Sequence, residues 1–122
     1  MSKIKVLVVE DEFLIRMDLV DYLVDEGFEV LAADQADDAI AILESDDQIQ
    51  VMFTDIDMPG SMNGLILSST VRNRWPPIKI VVTSGQLVKP FPADLPEGSL
   101  FFSKPYNHAD VAASFRAILI AA

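Results

Sequence analysis

Apolar runs that end in acids or hydroxyls alternate along this chain with stretches where apolar and charged residues recur at helical spacing. Ile4 to Val9 is almost uniformly apolar, as expected of a strand covered on both faces and so of a parallel sheet. The spacing predicts a helix over Phe13 to Asp25, with Leu14, Met17, Val20 (or Tyr22) and Val24 as its recurring apolar positions and Gly27 as its stop. A second strand is expected from Phe28 to Ala33. Asp34 then caps a helix from Ala36 to about Ser45, with Ala36, Ala39, Ile40 and Leu43 facing inward. Ile49 to Thr54 reads as a third strand that ends in an acid, Asp55, before Pro59-Gly60 turns the chain. Asn63 to Arg74 reads as a third helix carrying Leu65, Ile66, Leu67 and Val71, closed by Trp75-Pro76-Pro77.

The β-branched run Ile78 to Thr83 is a fourth strand, followed by Ser84-Gly85. From Gln86 to Gly98, Pro90, Pro92 and Pro96 break any long helix, leaving a turn or two near Gln86 to Lys89 or around Ala93 to Leu95. Ser99 to Ser103 is a fifth strand, with Lys104-Pro105 directly after it. Asn107 can cap a last helix from about Ala109 to Ile120, whose Val111, Phe115, Ile118 and Leu119 suit packing on a sheet. Five strands alternating with helices define an α/β protein with a parallel, doubly wound sheet and right-handed crossovers. The order 2-1-3-4-5 is one of two common solutions and puts the switch point between strands one and three; periodicity alone does not fix it.

Length and composition narrow the picture. The 122 residues suffice for one domain, 1–122, and not for two. A net charge of -10 argues against nucleic acid as a direct partner and suits cations or basic protein surfaces. With no Cys, disulfides and thiolate metal sites are excluded. Lys3, Lys5 and Val6 to Val9 loosely imitate a signal peptide, but the run is short and is broken by Glu10, Asp11 and Glu12. No window approaches a membrane span, so the expected location is the cytoplasm.

In a parallel sheet the carboxyl ends of the strands share one edge, where open α/β sheets bind ligands. Strand one brings Glu10 and Asp11 there, strand three Asp55 with Asp57 two residues on, strand four Ser84, and strand five Lys104. Carboxylates converging within ~4–6 Å repel by about 4 kcal/mol per close pair at an effective dielectric near 20. A divalent cation relieves that repulsion. With oxygen ligands alone the site favours a hard ion, Mg²⁺ or also Mn²⁺, and Mg²⁺ usually keeps waters and phosphate oxygens in its shell. That preference suggests phosphoryl chemistry, for which Lys104 supplies a positive point charge and Ser84 a hydroxyl donor, while Asp55 could either hold the metal or act as a nucleophile.

Glu10-Asp11, Asp55, Met58-Pro59 with Gly64, Ser84-Gly85 and Lys104-Pro105 together resemble the response-regulator receiver domain of two-component signalling, over Ile4 to Leu119. The resemblance implies a flavodoxin-like (βα)5 fold. It implies that Asp55 accepts a phosphoryl group from a histidine kinase or a histidine phosphotransfer protein. It further implies that Asp11 and Asp55 coordinate Mg²⁺, with the backbone carbonyl of Asp57 and an indirect contact from Glu10. Ser84 and Lys104 match the residues that contact the phosphoryl group, and Phe101 the aromatic that turns inward on activation. The consequence would be a two-state switch of the surface formed by strands four and five and the last helix, read by a downstream protein or a homodimer. Slow loss of the acyl phosphate to water would be the only turnover, so the chain is not expected to be an enzyme in the ordinary sense.

The turn Gly60-Ser61-Met62-Asn63-Gly64 is one residue longer than usual in that family, with Asn63 where Asp is common. The segment Pro90 to Pro96 replaces much of the usual fourth helix, which leaves the output mode open. No DNA-binding or enzymatic segment follows Ala122, so the chain is either a stand-alone receiver or an excised domain. Two alternatives stand beside this reading: a haloacid-dehalogenase-like phosphatase, suggested by Asp55-Ile56-Asp57 after a strand, and a binding module that kept the fold and lost phosphorylation. Glu12 reads as an acid in a first helical turn, Asp37 and Asp38 as a solvated helix start, His108 as a surface or capping residue, and Trp75, Met17, Met52, Met58 and Met62 as packing.

Overall fold

A computed structural model of the chain describes residues 3–58, 62–85 and 95–120. Among them, β1 (Lys5–Val9), β2 (Glu29–Ala33), β3 (Val51–Asp55) and β4 (Lys79–Ser84) alternate with α1 (Phe13–Asp25), α2 (Ala36–Ser45) and α3 (Gly64–Arg74), and β5 (Leu100–Ser103) and α4 (His108–Ile120) follow β4. All four pairings are parallel, and the strand order is β2-β1-β3-β4-β5. This is the flavodoxin-like order, with the switch point between β1 and β3. The short helices considered at 86–89 and 93–95, and Pro90 and Pro92, fall largely outside the described residues.

The uniform apolar character of β1, β3 and β4 has the expected cause. These central strands are buried along nearly their whole length, whereas the edge strands β2 and β5 are only partly so. Successive side chains of a strand point to opposite faces, and the core divides accordingly. Leu7, Val9, Met52, Ile80 and Val82 meet α2 and α3 on one face, through Ala39, Leu43, Leu67 and Val71. Val6, Val8, Val51, Phe53 and Val81 meet α1 and α4 on the other, through Leu19, Leu23, Val111 and Phe115.

Helix ends follow local chemistry. Gly27, at φ +97°, turns the chain out of α1 while Phe28 N–H reaches back to the Leu23 carbonyl at 3.0 Å. The Asn63 side chain accepts from the N–H groups of Leu65 and Ile66, both at 3.0 Å, and so caps α3. Asn107 accepts from Asp110 N–H at 3.1 Å, the cap foreseen for the last helix.

Some local readings are corrected. Leu14, Met17 and Val24 are exposed, and the core face of α1 is Leu19 and Leu23; Asp18, Asp21 and Asp25 lie together on the opposite, exposed side. In α3, Ile66 is likewise exposed. The N-cap of α2 is Gln35, not Asp34, because the Gln35 carbonyl accepts the first helical bond from Ala39. The Asp34 carboxylate instead lies by Asp38, whose own carboxyl its hydrogen bond raises. Glu12 takes the N-cap position of α1 without a side-chain capping bond. His108 is half-buried, 5.4 Å from the Tyr22 ring and 5.9 Å from the Tyr106 ring. Trp75 packs as expected, under the Arg74 guanidinium at 4.3 Å.

Candidate functional site

Sheet register decides which strand ends meet. Thr54 pairs with Val9, Asp55 with Thr83, and Ser84 with Ser103. The ladder continues one step past each strand. Ile56 N–H donates to the Thr83 carbonyl, Lys104 N–H to the Ser84 carbonyl and Glu10 N–H to the Ala33 carbonyl. Glu10, Asp55, Ser84 and Lys104 are thereby held on one rim by backbone bonds, before any side chain interacts.

Glu10, Asp11 and Asp55 each offer a carboxylate oxygen, and these oxygens lie within 4.8 Å of one another. Glu10 and Asp55 are buried, each 2 % exposed, and Asp11 is half-buried. The Lys104 ammonium donates to Asp55 Oδ2 at 2.7 Å and to Glu10 Oε1 at 2.8 Å. The other Asp55 oxygen, Oδ1, accepts the main-chain N–H of Asp57 at 2.8 Å. Ser84, also buried, donates its hydroxyl to Asp57 Oδ2 at 2.7 Å. An open cleft of about 340 Å³ adjoins Lys104, walled by Ile15, Asp18, Gly85, Tyr106 and His108.

Three acids face one ammonium on this rim. Burial pushes the Glu10 carboxyl up to about 8, aided by its hydrogen bond to Asp55 and opposed by Lys104. Burial alone would lower the Lys104 ammonium; its bonds to Asp55 and Glu10 outweigh that and raise it. Tyr106, half-buried and 5.3 Å from the Phe53 ring, is raised to about 12 by burial and by the Glu10 charge. A hard divalent cation fits this donor set, because clustered carboxylate oxygens with excess negative charge are what such ions bind.

Gly64 is a structural member of the site. A Cβ there would lie 2.1 Å from the Asp55 carbonyl oxygen and 2.7 Å from Ile56 Cα. The start of α3 therefore seats directly on the peptide that follows Asp55, and its N–H donates to the Ile56 carbonyl. Phe101 lies on β5, half-buried against the α2/α3 face of the core.

Sequence reasoning missed two contacts. One is the Asp57 side chain, expected to contribute only its carbonyl. The other is Arg16, whose guanidinium donates to the Glu10 carbonyl at 2.7 Å. An acid two residues after Asp55 was visible, but no pattern says which hydroxyl it will meet.

A doubly wound α/β sheet with an acidic, lysine-bearing pocket at its switch point is what fold and rim define together. The chain belongs to the response regulator receiver domain family, whose profile matches residues 6–115. It is 42% identical over 89 residues to a protein-glutamate methylesterase/protein-glutamine glutaminase of Paramagnetospirillum magneticum, covering 70% of this chain and 24% of that protein. It is 31% identical over 117 residues to the sensor kinase CckA of Brucella abortus, covering 93% of this chain and 12% of that protein. It thus spans a quarter or less of the length of these two curated relatives. Among solved structures, a response regulator receiver protein from Sinorhizobium medicae superposes with a TM-score of 0.90 at 26% identity, covering 98% of this chain and 97% of that one. The receiver domain of a hybrid histidine kinase CckA gives 0.79 at 27% identity, over 94% of this chain and 98% of that one. Among the described residues no helix is long and apolar enough to cross a membrane.

Proposed function

We propose that residues 1–122 act as one phosphoacceptor receiver unit in which Asp55 takes a phosphoryl group from a phosphohistidine on a histidine kinase or a histidine phosphotransfer protein. The observation that carries this reading is the setting of Asp55, a buried carboxylate at a strand end with Lys104 on one oxygen, a backbone N–H on the other, and Glu10 and Asp11 beside it. In the reaction an Asp55 oxygen attacks phosphorus in line, the P–N bond breaks, and the imidazole leaves with its electron pair. Phosphoryl transfer asks mainly for positioning and charge neutralisation. Lys104 supplies one positive charge to the phosphoryl oxygens, and Ser84 a hydroxyl donor.

Asp11, Asp55 and the Asp57 carbonyl would hold Mg²⁺, or Mn²⁺, with Glu10 in indirect contact. When bound, the ion supplies further neutralisation of phosphoryl charge. Water later attacks the acyl phosphate, returning the carboxylate and releasing inorganic phosphate. Slow self-dephosphorylation of this kind, rather than enzymatic turnover, is the expected activity. In the modified state Ser84 donates to a phosphoryl oxygen, Phe101 moves inward, and the β4, β5 and α4 surface changes for a downstream protein or a second copy. The proposed place of work is the cytoplasm.

The test is intact-mass spectrometry after treatment with acetyl phosphate, with and without Mg²⁺. The wild-type protein should gain one phosphoryl group in an Mg²⁺-dependent manner, and Asp55→Asn none. Full labelling of Asp55→Asn would move the acceptor elsewhere. No labelling of the wild type by acetyl phosphate or by a cognate kinase would favour a non-phosphorylated binding module.

A further inference from the structure

Asp57 makes two contacts that pull in different directions. Its main-chain N–H donates to Asp55 Oδ1 at 2.8 Å, and its carboxylate accepts the Ser84 hydroxyl at 2.7 Å. The second distance is that of a charge-assisted O–H···O bond. Ser84 is 3 % exposed, so its hydroxyl is costly to leave without an acceptor. Asp57 itself is exposed. A serine hydroxyl carries one proton. It can point at the Asp57 carboxylate or at a phosphoryl oxygen on Asp55, and not at both.

We propose that the Asp57 carboxylate is a positioning residue that latches Ser84 in the unmodified state, competing with the phosphoryl group for the same proton. The inference rests on the phosphoacceptor reading above. It adds that the ease of switching is set by a side chain outside the predicted chemistry. While the latch holds, Ser84 is committed to Asp57. Once Asp55 is modified, Ser84 can serve the phosphoryl group only by breaking that bond. The carboxylate it leaves stands at the surface, where water solvates it. The latch therefore biases the site toward its unmodified arrangement without blocking attack at Asp55.

The probe is beryllium trifluoride with Mg²⁺, a phosphoryl mimic, titrated calorimetrically against the full chain. Asp57→Ala should bind it about tenfold more tightly than wild type, the equivalent of ~1.4 kcal/mol. Asp57→Asn keeps an acceptor oxygen without the charge and should fall between the two. In a Ser84→Ala background, Asp57→Ala should change binding by less than about twofold, because there is no hydroxyl to release; coupling between two side chains is what such a cycle isolates. An equal gain in both backgrounds would show that Asp57 acts by charge repulsion and would overturn the latch. Unchanged binding by Asp57→Ala would overturn it as well. If wild type fails to bind the mimic and Asp55→Asn behaves identically, the phosphoacceptor reading falls, and this inference with it.

Discussion

Replacing Gly64 with alanine tests the link between the start of α3 and Asp55, the proposed acceptor. The added Cβ would stand 2.1 Å from the Asp55 carbonyl oxygen, 2.7 Å from Ile56 Cα and 2.8 Å from the Asp55 carbonyl carbon. All three are backbone atoms, so no side chain can swing away. Restoring an ordinary contact of 3.4 Å needs α3 to retreat by about 1.3 Å. Overpacking of this kind costs roughly 2–3 kcal/mol, and for a domain of this size about 4 °C of melting temperature goes with each kcal/mol. A displacement near 1 Å at a reacting group can cost on the order of 10²-fold in rate. Gly64→Ala should therefore lower the melting temperature by about 8–12 °C and slow phosphoryl uptake from acetyl phosphate at least ~10-fold. Gly27→Ala is the control. It has positive φ but nothing within 4 Å of the new Cβ, so it should cost stability and leave uptake alone. A Gly64→Ala protein that melts with wild type and labels at its rate would refute the argument.

Three further outcomes follow from the rim and its supports. Lys104→Ala removes the countercharge from Glu10 and Asp55, both buried; urea unfolding should show a loss of ~3–5 kcal/mol without metal, smaller in millimolar Mg²⁺. Asn63→Ala deletes both cap bonds of α3 and should cost about 1 kcal/mol in the same assay. Glu10 titrates at about 8 in the fold against an ordinary 4.5, so the folded state binds more protons than the unfolded one between those values. The metal-free protein should accordingly lose stability as pH rises through that window. Glu10→Gln should flatten the slope, and calorimetry should find Mg²⁺ binding tighter at pH 8 than at pH 6, with proton release.

Much of this was legible in the sequence, for physical reasons. The central strands are apolar on both faces, so β1, β3 and β4 announced themselves, and Glu10, Asp55 and Ser84 stand at their ends because a parallel sheet collects those ends on one edge. The core face of α1 was read wrongly although the sequence carries it: Asp18, Asp21 and Asp25 share one side of the helix, opposite Leu19 and Leu23, and a stripe drawn through Leu14, Met17 and Val24 overlooks them. The Asp57 carboxylate escaped for another reason. Which hydroxyl an acid meets depends on tertiary placement, and Asp57 meets Ser84 on another strand, 27 positions away in sequence.

The seating of α3 against the peptide after Asp55 gives chemistry at that carboxylate a stiff side and a yielding side. Toward α3, backbone meets backbone with no room for even a methyl group, and any displacement there would have to drag a whole helix. Toward β4 and β5, the neighbours are a hydroxyl and an ammonium that can exchange partners in place. Strain introduced at the acid thus has one easy exit, and motion should spread across the sheet toward its β5 edge while the α2/α3 flank stays still.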